Sequence, residues 1–246
     1  MKIPFFLILL FLLTFGQDHA VLHSVPTIIR TIPHDPNAFT QGLLFHNGLL
    51  YESAGLYGQS SLRCLDPANG SVIKNIPVPD VFAEGLALWD STLVQLTWKE
   101  KAAIRYTLVD FKMTGAFAYD GEGWGLTTDP HSFIMSNGSD TLYVRSKDFA
   151  IRRKVPVTVN GKPLTNLNEL EYANGRVYAN VWYSNYIFEI APATGKVTKI
   201  IDCTGIVQTA QTQSQDEVLN GIAYDPTAGT FYITGKNWRF MFEVRW

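Results

Sequence analysis

The sequence predicts an all-β protein, specifically a five-bladed β-propeller, from a repeat, from the strands within it and from the chain ends. A short phrase recurs five times, each opening on a polar or aromatic residue, followed by glycine (once by glutamate) and an apolar residue. Successive copies begin 43, 40, 44 and 52 positions apart. A repeat of about 40–45 residues made of short strands is typical of a propeller blade. The copies are Gln41-Gly42-Leu43, Glu84-Gly85-Leu86, Trp124-Gly125-Leu126, Asn168-Glu169-Leu170 and Asn220-Gly221-Ile222.

Each repeat contains strand-like runs separated by turn residues. In the first repeat, alternating runs at 42–46 and 49–53 flank Asn47-Gly48, and Asn-Gly between such runs is a strong hairpin signal. Further runs at 61–65 and 71–76 complete a four-stranded blade. The fourth repeat has the same order of runs, with its first turn at Asn174-Gly175.

The fifth repeat is incomplete, and its missing strand lies at the other end of the chain. After Asn220 there is room for three strands, at 221–224, 230–234 and 239–245, and the run at 27–32 resembles a fourth strand. We therefore predict that the N- and C-terminal strands share one blade, which would close the ring and remove two open sheet edges. A β-sandwich or two small β domains would explain neither the repeat nor this complementation.

The N-terminus predicts export. Lys2 is followed by an apolar run at 3–13, too short to span a bilayer and typical of a secretory signal. We expect a signal peptide at 1–20, a single propeller domain at 21–246, and a secreted or periplasmic monomer with no membrane attachment after cleavage; an uncleaved anchor is the alternative. The 20 basic and 22 acidic residues form no basic stripe for nucleic acid. Cys64 and Cys203 fall in blades that are not neighbours, so we predict free thiols.

The repeat also predicts a ligand pocket. The first strand of a propeller blade is innermost, so the residues that open the phrases should line one mouth of the channel, and the ends of the second strands return to that mouth. These ends are predicted at Ser53-Ala54, Thr97-Trp98, Arg145-Ser146, Val181-Trp182 and Gly235-Lys236. One mouth would thus combine a carboxylate, a lysine, indoles and amides, as small-ligand sites do. Singly, each could be structural: a tryptophan between blades, a satisfied carboxylate, a solvated lysine.

Other site chemistries find little support, so we expect no metal and no cofactor. The five histidines have no metal-ligand spacing: His19, His23, His34, His46 and His131. There is neither a nucleophile elbow nor a glycine-rich phosphate loop. A Ser/His/Asp triad is left open, since nothing in the sequence indicates one.

Eight strings along the chain resemble the plant- and bacterial-type glutaminyl cyclases, also called glutamine cyclotransferases. The resemblance covers the whole chain after the predicted signal, and it implies a five-bladed propeller. The strings are Phe39-Thr40-Gln41-Gly42-Leu43, Glu84-Gly85-Leu86, Leu96-Thr97-Trp98, Gly121-Glu122-Gly123-Trp124-Gly125-Leu126, Asn166-Leu167-Asn168-Glu169-Leu170-Glu171, Ala179-Asn180-Val181-Trp182, Val218-Leu219-Asn220-Gly221-Ile222-Ala223 and Thr234-Gly235-Lys236-Asn237-Trp238.

The resemblance implies a metal-independent reaction in which an N-terminal glutaminyl residue of a peptide or protein becomes pyroglutamate with release of ammonia. It implies catalytic roles for three residues, with Glu84 transferring the proton and Asn168 and Lys236 donating to the developing oxyanion. Gln41 would accept from the substrate amine. Substrate-binding walls are expected from Phe39, Trp98, Trp124 and Trp182. Asn220 receives no role, and the stretch at 208–215 departs from the family pattern as a variable loop.

Two other functions remain open on the sequence. A catalytically silent propeller could bind peptides or sugars, although Glu84 argues against it. A calcium-dependent hydrolase of the lactonase kind would need several oxygen ligands around the axis, which Trp124 fits poorly. The physiological substrates are not indicated.

Overall fold

The computed structural model describes residues 20–246, and almost all regular structure in this range is β-strand. Five sheets are arranged as the blades of a propeller, which confirms the predicted fold class. The predicted signal peptide lies outside the described residues except for its last position, Ala20. That boundary, and the single domain predicted at 21–246, stay predictions.

The strands follow one another in blade order. Two strands precede the first blade: β1 (Leu22–Ser24) and β2 (Thr27–Pro33). Blade one contains β3 (Thr40–His46), β4 (Leu49–Ala54), β5 (Ser61–Leu65) and β6 (Val72–Pro77). Blade two contains β7 (Ala83–Trp89), β8 (Thr92–Thr97), β9 (Ala102–Thr107) and β10 (Met113–Ala118). Blade three contains β11 (Leu126–Thr128), β12 (Phe133–Met135), β13 (Thr141–Arg145) and β14 (Ile151–Pro156).

A small hairpin precedes blade four, and a short helix precedes blade five. The hairpin is formed by β15 (Thr158–Val159) and β16 (Lys162–Pro163). Blade four contains β17 (Leu167–Ala173), β18 (Arg176–Val181), β19 (Tyr186–Ile190) and β20 (Val197–Asp202). After the helix α1 (Thr204–Thr209), blade five contains β21 (Leu219–Asp225), β22 (Thr230–Gly235) and β23 (Phe240–Arg245).

The ring is closed as the sequence predicts. Strand β2 lies antiparallel to β23, with Thr27 opposite Arg245 and Pro33 opposite Phe240. Strand β1, which the sequence analysis did not predict, pairs in parallel with β20 and adds a fifth strand to blade four. The N-terminal segment therefore contributes strands to two neighbouring blades and joins them.

Glycine in the repeated phrase allows the innermost strands to pack closely. A Cβ atom on Gly42 would lie 2.5 Å from the Leu86 amide nitrogen, and one on Gly125 would lie 2.0 Å from the Asn168 carbonyl oxygen. Real Cβ atoms do not approach backbone so closely, so these positions accept glycine alone. In blades one, two and three the glycine of the phrase is therefore a steric requirement of the ring.

Glu169 stands where the other phrases have glycine, and its carboxyl group connects three blades. The side chain is fully buried. One oxygen accepts from the backbone N–H of Leu43 at 3.2 Å, and the other accepts from that of Ile222 at 2.9 Å. Burial raises the pKa of Glu169 well above its usual value, and the neighbouring Glu171 raises it further. Blade four thus supplies the group that fills the axis between blades one and five.

The prediction for the second strand of blade three was wrong. Strand β12 ends at Met135, whereas Arg145 ends the third strand, β13. The first two strands of this blade have only three residues each, so the run at 141–145, which looks like a second strand, is the third. Arg145 does not line the pocket, and its guanidinium donates to the Phe149 carbonyl at 2.8 Å and lies over the Phe149 ring.

Apolar cores lie between neighbouring blades. One of them combines Leu62 and Cys64 of blade one with Leu86 and Leu93 of blade two. Cys64 and Cys203 are both buried and free, which confirms the prediction made from their blade positions. Among residues 20–246, no helix has the length and apolar character needed to cross a membrane.

Candidate active site

A pocket of about 380 Å³ opens at one mouth of the ring. All eight residues predicted for the site line it, and three further residues join them. The eleven lining residues are Phe39, Gln41, Leu56, Phe82, Glu84, Trp98, Trp124, Asn168, Trp182, Asp216 and Lys236. The structure therefore brings the predicted residues together, while the roles assigned to them stay predictions.

Aromatic rings form most of the pocket wall and brace one another through edge contacts. The Trp124 and Trp182 rings are nearly perpendicular, at 87°, with centroids 5.6 Å apart. The centroid of the Phe82 ring lies 5.5 Å from that of Trp98 and 6.0 Å from that of Phe39. Edge-to-face contacts of this kind are favourable beyond the area they bury. The wall is apolar and rigid, so polar groups inside it are poorly screened by water.

Glu84, the second residue of β7, is a buried carboxyl group without a hydrogen-bond partner in the described part of the chain. Its side chain lines the pocket, and the residue is 4% exposed. Burial raises the pKa of Glu84 well above the usual value; Lys236 opposes this rise, while the negative charges of Glu122 and Glu100 add to it. A carboxyl group held in this way is suited to exchanging protons with a bound ligand.

Lys236 follows β22 and supplies the positive charge of the pocket. It is 5% exposed, and its Nζ lies 4.7 Å from the centroid of the Phe39 ring. Burial lowers the pKa of Lys236 to about 8, although the charges of Glu84 and Asp216 oppose that shift. The ammonium group therefore loses its proton in the same pH range in which a peptide α-amine does.

Asn168, the second residue of β17, has a side-chain amide whose hydrogen-bonding groups are not all paired within the described part of the protein. Its Oδ1 is buried with no hydrogen-bond partner among the described residues. Its backbone carbonyl is held by the Ser136 hydroxyl, which donates to it at 2.6 Å and accepts from the Gly125 N–H at 2.7 Å. The backbone is fixed while the side chain remains available to a ligand.

Asn220 does not line the pocket but lies behind Gln41 and orients it. Its Nδ2 donates to Gln41 Oε1 at 3.0 Å and to the Thr40 carbonyl at 2.9 Å. Because the Gln41 oxygen is already engaged, the Nε2 group is the part of this amide without a protein partner in the described chain. The oxygen has a second lone pair, so the expectation that Gln41 accepts from the substrate amine stays a prediction, and Nε2 is a further donor at the same place.

Sequence reasoning missed Leu56, Phe82 and Asp216 as lining residues, and it gave no role to Glu122. Two of these four residues could have been identified from their position in the repeat. Phe82 and Glu122 stand two positions before Glu84 and Trp124, as Phe39 stands two positions before Gln41. That offset marks residues of the same mouth.

Asp216 comes from the loop after α1 and directly follows the stretch at 208–215 that is expected to be variable. Its Oδ1 accepts from the Tyr183 hydroxyl at 2.7 Å, and the Tyr183 ring lies 4.7 Å from that of Trp182. The loop is thus connected to the aromatic wall and places a negative charge at the rim. No repeat position could indicate this residue, because the loop lies outside the blade pattern.

The fold and site define a five-bladed propeller with a small-ligand pocket at one mouth of its channel. The chain belongs to the glutamine cyclotransferase family, whose model matches residues 8–246. It is 36% identical over 226 residues to the glutaminyl-peptide cyclotransferase of Arabidopsis thaliana, an alignment covering 89% of this chain and 70% of that protein. It is also similar to the crystal structure of Myxococcus xanthus glutaminyl cyclase, with a TM-score of 0.87, 39% identity and coverage of 92% of this chain and 97% of that chain.

Proposed function

We propose that this protein is a glutaminyl-peptide cyclotransferase, which converts the N-terminal glutaminyl residue of peptides or proteins into pyroglutamate and releases ammonia. The observation that carries the proposal is Glu84, a buried carboxyl group with no hydrogen-bond partner among residues 20–246, which lines an aromatic pocket together with Lys236 and Asn168. Family membership supports it, as do the names of the two relatives.

The pocket suits one short side chain folded back upon its own amine. In the substrate, the α-nitrogen attacks the side-chain amide carbon, so both reactants belong to one residue. The enzyme's task is to hold a folded conformer, which the walls of Trp98, Trp124 and Trp182 favour by excluding water and restricting space. Gln41 would accept from the substrate amine through Oε1 and help to orient it, and its Nε2 supplies a donor beside it.

Proton transfer and oxyanion stabilisation complete the reaction. As the neutral amine attacks, a C–N bond forms and the amide oxygen becomes negative. Asn168 and the Lys236 ammonium donate hydrogen bonds to this oxygen. Glu84 takes a proton from the attacking nitrogen and delivers it to the leaving nitrogen. The original C–N bond then breaks and ammonia departs, leaving the Glu84 carboxylate as it began.

Ammonia release from a glutamine-initiated dipeptide amide tests the activity. We expect turnover of the free peptide and none of its N-acetylated counterpart, because acetylation removes the nucleophilic amine. Turnover should persist in the presence of a metal chelator, which separates this function from a calcium-dependent hydrolase. If the free peptide released no ammonia, the protein would be better described as a propeller that only binds ligands.

Replacing Glu84 with Gln tests the residue itself. We expect kcat to fall by about 10²–10⁴-fold, the usual contribution of general acid–base catalysis. The melting temperature should stay the same or rise, because the raised pKa of Glu84 means that burial opposes its charged form. Kinetics and thermal unfolding monitored on the same preparation measure both, and full activity in E84Q would remove Glu84 from the mechanism.

We also propose that the protein is exported and monomeric. The short basic start and apolar run at 3–13 support cleavage of a signal peptide near residue 20, with release into the medium or periplasm. N-terminal sequencing of the exported protein would locate the cleavage site, and light scattering after gel filtration would give the mass. A mature chain that retains residues 1–20 would favour an anchor instead.

A further inference from the structure

We propose that Glu122 is a positioning residue that fixes the indoles of Trp98 and Trp124 and supplies a negative charge beside Glu84. The inference rests on the proposed function and deepens it. Glu122 itself does not line the pocket, so its effect on bound substrate would be indirect.

One oxygen of Glu122 joins two walls of the pocket. Glu122 Oε2 accepts from the Trp98 Nε1–H at 2.9 Å and from the Trp124 Nε1–H at 3.0 Å. Trp98 follows the second strand of blade two, and Trp124 precedes the first strand of blade three. The carboxylate therefore sets the separation of two indoles that belong to different blades.

Fixing these two rings also fixes their neighbours. Trp98 braces Phe82 through an edge contact, and Trp124 braces Trp182 in the same way. A hydrogen bond to an ionised acceptor is stronger than one to a neutral group, and it selects one orientation of an indole ring. Without it, each part-buried indole N–H would lose its partner and the rings could turn.

The charge of Glu122 acts on Glu84 together with several other groups. Those that face Glu84 are the cation Lys236, the acids Glu122 and Glu100, and the hydroxyls of Tyr57 and Tyr119. Of the two acids, Glu122 has the larger effect, and both raise the pKa of Glu84. Glu122 thus favours the protonated form of Glu84, which must give a proton to the leaving nitrogen.

Two substitutions distinguish the effect of Glu122 on the indole positions from the effect of its charge on Glu84. Glu122→Gln keeps an oxygen that both indoles can use but removes the charge, so we expect kcat/KM at its optimum within about fivefold of wild type. The acidic limb of its pH profile should move to lower pH by up to about 1 unit, because Glu84 then loses its proton more readily. Glu122→Leu removes both features and should reduce kcat/KM by about 100-fold, the effect of misplacing a substrate wall.

Glu100→Gln is the matched control. Glu100 also raises the pKa of Glu84, but it accepts a hydrogen bond from Tyr57, whereas both indole N–H groups donate to Glu122. It should shift the acidic limb less than Glu122→Gln does and leave the indole N–H signals of Trp98 and Trp124 unchanged in ¹H–¹⁵N spectra. Those two signals should move strongly in Glu122→Leu and slightly in Glu122→Gln.

The spectra test the positioning role of Glu122, and ammonia release tests the proposed function, so the two proposals can be contradicted independently. If wild type released no ammonia, the proposed function would fall while the indole signals still tested the positioning role. If both Glu122 variants kept the wild-type pH profile and the wild-type kcat/KM, the inference would be wrong. Should Glu122→Leu fail to fold, an unshifted pH profile in Glu122→Gln would still overturn it.

Discussion

Lys236 is a pocket group whose charge changes in the pH range of the reaction. Burial in the aromatic wall lowers its pKa to about 8, while the α-amine of a peptide titrates near 7.7–8.0 and must be neutral to attack. The two requirements oppose each other, since the amine needs a higher pH and the lysine a lower one. Protonation of the amine and of the Glu84 carboxylate sets the acidic limb of the kcat/KM profile, and deprotonation of Lys236 sets the basic limb, so we expect a bell shape with its maximum near pH 8.

Lys236→Arg tests the origin of the basic limb. Arginine stays charged throughout this range, so the fall in kcat/KM above about pH 8 should move to higher pH, although the different shape of the guanidinium should lower the maximum. Lys236→Met should lose about 100-fold or more at every pH, because an oxyanion donor is absent. A basic limb that stays in place in Lys236→Arg would assign it to another group.

Asn220 shows how a residue outside the pocket can shape it. Asn220→Ala removes the donors to Gln41 Oε1 and the Thr40 carbonyl, so the Gln41 amide loses its fixed orientation. We expect KM to rise by about tenfold, with a loss of about 1–2 kcal/mol in the free energy of unfolding. Steady-state kinetics and urea denaturation measure these effects. An unchanged KM with lowered stability would make Asn220 purely structural.

At the level of strands and turns, most of the blade pattern could be predicted and its exceptions could not. Period-two alternation and Asn-Gly turns predict strands because side chains alternate across a sheet and these turns need a left-handed backbone. The second strand of blade three was predicted wrongly because β11 and β12 have only three residues each. Strand β1 and the β15–β16 hairpin escaped too, since such short segments carry no periodicity.

Gly125 tests the steric meaning of the repeated phrase. A Cβ at this position would meet the Asn168 carbonyl, so Gly125→Ala should push β17 outwards and displace the Asn168 side chain from the pocket. We expect a loss of about 1–3 kcal/mol in stability and reduced kcat, measured by urea denaturation and ammonia release. Gly205→Ala is the matched control, because a Cβ there meets nothing within 4 Å; equal effects in both variants would contradict the argument.

For the molecule as a whole, ring closure depends on a buried charged network between the first and last blades. His34 Nε2 donates to Glu52 Oε1 at 2.9 Å, and its Nδ1 donates to the Trp238 carbonyl at 2.9 Å. Both acceptors require a hydrogen on the ring, so His34 is an imidazolium. Arg63 lies beside the same carboxylate at 3.3 Å. The network joins the segment after β2 to blade one and to the turn after β22.

This network predicts how stability depends on pH. Burial opposes the charge of His34, yet Glu52 raises the pKa of His34 above its usual 6.5, so its stabilisation is complete below about pH 6.5 and is lost as pH rises through the raised value. Burial likewise opposes ionisation of Glu52, but His34 and Arg63 lower its pKa to about 2. Its contribution is present above about pH 4.5 and is lost as pH falls towards 2.

His34→Gln should therefore cost about 3 kcal/mol, as breaking a buried pair does. The loss should be seen at pH 6 and should shrink at higher pH, where wild-type His34 has lost its proton. Urea denaturation at several pH values measures the difference. A difference that stays constant across the range would mean that His34 is neutral in the folded protein.

Local patterns and their spacing along the chain were enough to predict the number of blades, the closure by the N-terminal strand and seven of the eight predicted residues that meet at one mouth, with Phe39 added by the family resemblance. They sufficed because a propeller repeats one local geometry, so equivalent repeat positions occupy equivalent places in space. The engagement of Gln41 by Asn220, the indole pair held by Glu122, the Asp216 loop and the Glu169 carboxyl on the axis came only from the folded chain. Each depends on contacts between different blades, whose distances no spacing along one chain can express.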